Sequence, residues 1–285
     1  MSASRYAFPA LLLGAACIGF AGIFVRVSEV GPAATGFWRM ALALPFLWLL
    51  SARTSPAVRP GQSRLGASLL LGAFFAADLA VWHHSLHITT VANATLLANC
   101  VPVFFVPLLG WLIWRDKIER AFVPSFLITL LGVALLTGEN VTLSPERFRG
   151  DLLATVAAAF YCAYLLLMKS VRREVDVARL MAVSGVGAAV VLLAVALMSG
   201  EKLVPASLHG WATLAGLAIV TQVLGQTLIA YGLGHLPAHL SALCLMFQPI
   251  VSALAAWALF GEQISPLQFA GAAVIVAGVW MAKRH

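Results

Sequence analysis

The chain has 285 residues, 61% of them apolar and only 10% charged, with a formal net charge of +7. A soluble domain carries about a quarter charged residues and just under half apolar ones, so a water-solvated two-domain enzyme is excluded, and so is a disordered chain. The solvent this composition suits is a bilayer.

A spanning helix takes about 20 mostly apolar residues. Ten stretches qualify in chain order: 8–25, 33–51, 65–85, 91–113, 121–137, 151–169, 178–198, 208–231, 239–260 and 266–282. None alternates apolar and polar residues as a transmembrane β-strand does, so the expected fold class is an all-α polytopic membrane protein. The first stretch runs on past Cys17 to Val25, too long for a signal-peptide core, and is expected to stay as a span. Around Ala52–Arg64 and Gly138–Gly150 the interruptions are only short loops, which leaves no room for an extramembrane domain.

Loop cations orient the spans. On the side of the N-terminus lie Arg5, Arg53, Arg59, Arg64, Arg115, Lys117, Arg120, Lys169, Arg172, Arg173, Arg179, Lys283 and Arg284. Arg26, Arg147, Arg149 and Lys202 lie on the other side, and Arg39 falls within a span. Both termini are therefore expected to be cytoplasmic. Basic residues scattered in this way serve topology and lipid contact better than nucleic-acid binding. Cys17, Cys100, Cys162 and Cys244 all lie in spans without metal-ligand spacing, so free thiols are expected.

The two halves share an ordered pattern. Ser85-Leu86-His87-Ile88-Thr89-Thr90 leads to Pro102, Asp116 and Gly132-Val133; Gly232-Leu233-Gly234-His235-Leu236-Pro237 leads to Pro249, Glu262 and Gly278-Val279. Five spans per half is an odd number, so the second copy must enter the membrane inverted. The expected architecture is ten transmembrane helices as two inverted five-helix repeats around a central cavity, with residues 1–138 and 150–285 as the repeats and 139–149 as an extracytoplasmic linker. Inverted repeats of this kind occur in secondary transporters, whose substrate site lies near the midplane.

Ionisable and polar groups inside spans mark the candidate site, because they are costly in lipid. Asp78 shares a helical face with Trp82 and Ser85 and is the candidate for coupling or for a substrate amine; a protonated structural carboxyl is the simpler alternative. Tyr161, Tyr164 and Met168 form a stripe that suits an aromatic substrate or plain helix packing. Gln222 and Gln226, at i and i+4, need buried partners. Asn99 and Gln248 sit beside the matched prolines Pro102 and Pro249, where a kink frees backbone carbonyls. His83 is expected in the outer half of the cavity. Arg39 can hold a carboxylate, although snorkelling to the interface is the simpler expectation. Arg26 with Glu262 at the outer face, and Lys169 with Asp116 at the inner face, are the expected gate pairs. The histidine clusters have no acid or Cys company and fall on opposite faces, so no metal is expected, and no phosphate-loop, dinucleotide or hydrolase motif calls for a cofactor or catalysis.

Phe37-Trp38-Arg39 opening the second span, the Pro, acid and Gly-Val pattern of Ser85–Gly132, and Gly261-Glu262-Gln263-Ile264-Ser265-Pro266-Leu267-Gln268 running to Gly278-Val279 resemble the EamA family of the drug/metabolite transporter superfamily. The resemblance covers the whole chain. It implies a carrier in the bacterial cytoplasmic (inner) membrane that exports small metabolites. Trp82, Tyr161 and Tyr164 look most like YddG-type aromatic amino-acid exporters, which implies aromatic or apolar amino acids; drugs and nucleotide sugars are the alternative substrates within the superfamily, and a channel or an intramembrane enzyme the alternative of another class. One departure is Arg115-Asp116-Lys117, where the family usually has a lone Glu. The sequence leaves the oligomeric state open, and a monomer is compatible with it.

Overall fold

The computed structural model describes residues 2–53, 62–89, 91–115, 122–137, 145–172, 174–261 and 263–283, and among these every regular element is a helix. In chain order they are α1 (Ser2–Gly19), α2 (Ala21–Arg26), α3 (Pro32–Arg53), α4 (Gln62–Ser85), α5 (Val91–Trp114), α6 (Phe122–Thr137), α7 (Pro145–Val171), α8 (Val177–Met198), α9 (Leu208–Gly216), a π-helix (Leu217–Gln226), α10 (Thr227–Leu233), α11 (Ala238–Leu245), α12 (Phe247–Phe260) and α13 (Pro266–Lys283). In hydrocarbon every backbone amide must be paired internally, and helices satisfy that condition.

Among the described residues eight helical stretches are long and apolar enough to cross a bilayer, and two shorter apolar ones, Leu97–Ile113 and Phe122–Leu136, fall where the fourth and fifth spans were expected. At 1.5 Å per residue the 16 residues of α6 reach roughly 24 Å, short of the ~30 Å hydrocarbon core. The protein is thus a multi-pass membrane protein.

The observed elements also differ from the expected spans in four places. The first span is broken at Phe20, whose N–H reaches Cys17 O at 3.3 Å, so α1 and α2 meet at a joint. A second joint lies at Met246, between α11 and α12, within the ninth stretch. In the eighth stretch ten residues are wound as a π-helix. There Thr221 Oγ1 donates to Leu217 O at 2.6 Å, four residues back, which occupies the carbonyl an α-helical N–H would use. Finally, α7 begins at Pro145, inside the expected linker, so Arg147 and Arg149 stand on its first turns.

Fully buried Leu47, Leu71, Leu165, Met168, Leu180, Met181 and Leu192 form the core, while Phe105, Leu108, Trp111, Leu112, Leu131, Leu259 and Phe269 are exposed. Such an apolar outer surface suits lipid. Where α6 and α13 press together, glycine is required. A Cβ on Gly132 of α6 would stand 2.6 Å from Ile275 N of α13, and one on Gly271 would stand 2.6 Å from Gly132 O. Close backbone approach replaces the hydrophobic drive that lipid cannot supply.

One end of the bundle is fastened by two carboxylates placed reciprocally. Glu201, after α8, accepts from Ala33 N at 3.3 Å and Ala34 N at 2.8 Å in the first turn of α3. Glu29, before α3, accepts from Ala206 N at 2.8 Å, from Ser207 N at 3.1 Å and from the Ser207 hydroxyl, just ahead of α9. Each satisfies orphan amides at a positive helix end. Trp38 Nε1 adds a bond to Leu203 O at 2.7 Å. Glu29 titrates below its ordinary range, chiefly because Ser207 donates to the ionised form.

Candidate substrate-binding site

A partly open cavity lies where the joints and the π-helix converge. Ile18 and Ala21 flank the α1–α2 joint, Gln226 ends the π-helix and Gln248 follows the α11–α12 joint; all four line it. Discontinuous helices of this kind bring free backbone and polar side chains to transporter sites.

Two ionisable side chains of opposite type stand around this space. Arg39 of α3 and Asp78 of α4 both line the cavity and act on one another electrostatically, and among the described residues no nitrogen-to-oxygen contact within 4 Å joins them. Arg39 is only 2% exposed, which corrects the expectation that it snorkels. Snorkelling needs a route to the interface, and here the guanidinium turns inward instead. Its Nε donates to Gln222 Oε1 at 3.1 Å and its carbon lies 5.4 Å from the Phe75 ring centroid. Beneath it the Phe75 and Tyr164 rings stack at 4.5 Å, and Tyr161 stacks on Tyr164 at 5.9 Å.

The remaining candidates sort into wall and support. Asp78, Trp82, Asn99, Tyr161, Gln226 and Gln248 line the cavity together with Arg39. Tyr164, Gln222 and His83 are buried but are not part of the lining. Tyr164 donates its hydroxyl to Gln226 Oε1 at 3.3 Å, and Gln222 holds Arg39, so each acts through a lining residue. His83 Nδ1 pairs with Pro32 O at 3.0 Å, tying the end of α4 to the start of α3. Trp82 is oriented by its indole N–H, which donates to Ala94 O at 3.2 Å. Thr95 and Phe75 also line the cavity and were not singled out from sequence. Thr95 precedes Asn99 by four residues on α5, and that spacing was the available signal.

The expected gate pairs have one partner each in view. Arg26 lies 5.9 Å from the Phe260 ring centroid, and Lys169 is buried in the last turn of α7. Asp116 and Glu262 lie outside the described residues. Among the described residues no group of three His, Cys, Asp or Glu side chains is arranged to hold a metal.

The sequence model of the EamA-like transporter family matches residues 6–138 and again 148–283. The chain belongs to this family. An uncharacterized transporter of Archaeoglobus fulgidus is 26% identical over 282 residues, covering 99% of this chain and 97% of the relative. The pseudopaline exporter CntI of Pseudomonas aeruginosa is 27% identical over 244 residues, covering 84% of this chain and 82% of CntI. A crystal structure of another protein, 20% identical, superposes with a TM-score of 0.77 over 99% of this chain and 96% of its own, which establishes a shared fold. The Archaeoglobus protein is named a transporter and CntI an exporter, and with the family match the chain is a transporter of the drug/metabolite superfamily.

Proposed function

We propose that the protein is a secondary carrier that exports small zwitterionic metabolites of the amino-acid class across the bacterial cytoplasmic membrane. The observation that carries this reading is the placement of Arg39 and Asp78 on one cavity, both buried and not closed onto each other. A guanidinium matches a carboxylate in charge and geometry, and a carboxylate matches an ammonium. An amino acid between them would neutralise both at once, whereas a mono-ion would leave one charge buried and unpaired. Phe75, Trp82, Leu79 and Ala98 give the stem or ring of the substrate side chain an apolar and aromatic wall. The exporter named among the relatives supports the outward direction.

In this reading ten spans form two inverted repeats, residues 1–138 and 150–285, joined by 139–149, with both termini cytoplasmic. Substrate enters from the cytoplasm, Arg39 and Asp78 hold its two charges near the midplane, and the helices part on the other side. The joints at Phe20 and Met246 and the π-helix supply bending points at the depth of the cavity. The protein would then need no cofactor and could act as a monomer.

The experiment is counterflow in proteoliposomes with labelled amino acids. Saturable uptake that is competed by free amino acids, but not by N-acetyl or methyl-ester forms, supports the reading. Linear flux means a channel, and indifference to blocking either charge removes the amino-acid class. Conservative variants Arg39→Lys and Asp78→Asn should each weaken transport at least about tenfold.

A further inference from the structure

Four buried side-chain atoms on residues that line the cavity have no hydrogen-bond partner within the protein: Thr95 Oγ1, Asn99 Oδ1, Tyr161 Oη and Gln248 Nε2. Their residues are 5%, 3%, 6% and 4% exposed. Over nine in ten buried polar groups in folded proteins are paired with protein or water, and leaving one unpaired is costly, so four on residues around a single cavity are groups that a ligand there can satisfy. The charge pair does not provide one, because an ammonium on Asp78 and a carboxylate on Arg39 leave these four atoms untouched. We infer that Thr95, Asn99, Tyr161 and Gln248 form a second, uncharged subsite that selects a substrate side chain ending in a neutral hydrogen-bonding group, an amide or a hydroxyl.

The polarity of the subsite follows from its fixed members. Asn99 Nδ2 donates to Thr95 O at 2.8 Å, which commits the amide and leaves Oδ1 as an acceptor turned away from that bond. Gln248 Nε2 is a donor, while the Thr95 and Tyr161 hydroxyls can act either way. Tyr161 and Gln248 face one another closely, yet neither atom reaches hydrogen-bond geometry with the other. Even if that pair closed, Asn99 Oδ1 and Thr95 Oγ1 would still lack partners.

A ligand tip that satisfies this set must both donate and accept. A primary amide does so with its NH₂ toward Asn99 and its oxygen toward Gln248, and a hydroxyl does so with one atom. A methyl tip leaves all four atoms unsatisfied. A carboxylate tip meets the Asn99 acceptor in a cavity that already holds Asp78. An ammonium tip leaves Gln248 without an acceptor and shares the cavity with Arg39. The apolar wall contributed by Leu79 and Ala98 suits the side-chain stem, so the preferred side chain is amphipathic and the polar wall makes a purely apolar one a poor fit.

This inference rests on the amino-acid reading, and the test keeps the two apart. Purified full-length protein is titrated with side-chain isosteres, reading thermal stabilisation: asparagine against leucine and aspartate, glutamine against methionine and glutamate, tyrosine against phenylalanine. Within at least one set the amide or phenol is expected to act at a concentration at least about tenfold lower than its apolar and charged isosteres. Asn99→Leu and Thr95→Val should shrink that ratio to about threefold or less while N-acetyl and ester forms still fail. Equal potency within every set, with blocked forms inactive, overturns the subsite and leaves the zwitterion reading standing. If blocked forms act as well as free ones, the zwitterion reading falls, and the same comparison among blocked isosteres decides the subsite. No stabilisation by any of these compounds overturns both.

Discussion

Arg39 and Gln222 lie 183 residues apart in the chain and meet in the middle of the bundle, where the guanidinium Nε donates to the amide oxygen at 3.1 Å. The bond aims a cation that faces the cavity, and it joins α3 to the π-helix. Gln222→Leu should therefore weaken substrate binding without removing a lining residue. A hydrogen bond to a charged group contributes about 1.5–3 kcal/mol, so roughly a ten- to hundredfold rise in Kd is expected. Isothermal titration of purified protein against a bound amino acid checks it; an unchanged Kd would show that Arg39 is held by something else.

Tyr164 supports Gln226 through a longer bond, 3.3 Å, and stacks on Phe75. Tyr164→Phe keeps the ring and removes the hydroxyl. The expected cost is about 0.5–1.5 kcal/mol, a several-fold loss of affinity with little change in thermal midpoint. Tyr161→Phe, which removes an unpartnered hydroxyl from a residue that lines the cavity, should alter selectivity among substrates more than it alters overall affinity.

The α6–α13 contact predicts a packing failure. Gly132→Leu places carbon where the α13 backbone passes at 2.6 Å, and neither backbone can yield without parting the helices. Expression in folded form should fall sharply, as read by size-exclusion profile and by thermal midpoint in detergent. Gly66, whose Cβ would meet nothing within 4 Å, serves as the control, and Gly66→Ala should be neutral.

Acid should loosen the end fastened by Glu29. Its folded pKa lies below the ordinary value of 4.5, so its contribution to stability is present above that value and is lost as pH falls through the lower, folded one. Glu29→Gln should lower stability at neutral pH and flatten the dependence below about pH 4.5. Hydrogen exchange at Ala206 and Ser207, followed from pH 6 to pH 3, reads the effect directly.

The sequence carried the helical content, the membrane and several of the polar residues around the cavity, because burial of Asp78, Asn99, Gln226 and Gln248 in apolar runs is a chemical anomaly visible without coordinates. It did not carry the joint at Phe20 or the π-helix. Gly19 adjoins the first break, and Gly216 and Gly225 adjoin or lie in the second, but glycine is frequent throughout spanning helices and so announces neither, and the π-turns depend on where one threonine hydroxyl is spent. Arg39 was misjudged for a related reason. Position in a span gives depth, while the direction of a long side chain depends on a glutamine in the other half of the chain. Thr95 escaped notice because a single threonine in a helix usually bonds its own backbone.

The paired carboxylates Glu29 and Glu201 bear on how the bundle can divide. They lash the start of α3 to the end of α8 and the start of α9, elements drawn from both stretches that the family model matches. While both straps hold, α3 and α9 travel as one body at that end. In the carrier proposed above, a seam that opens the cavity while these straps hold would leave the boundary between the two matched stretches at that end and pass between the strapped unit and the jointed helices around Ile18 and Gln248.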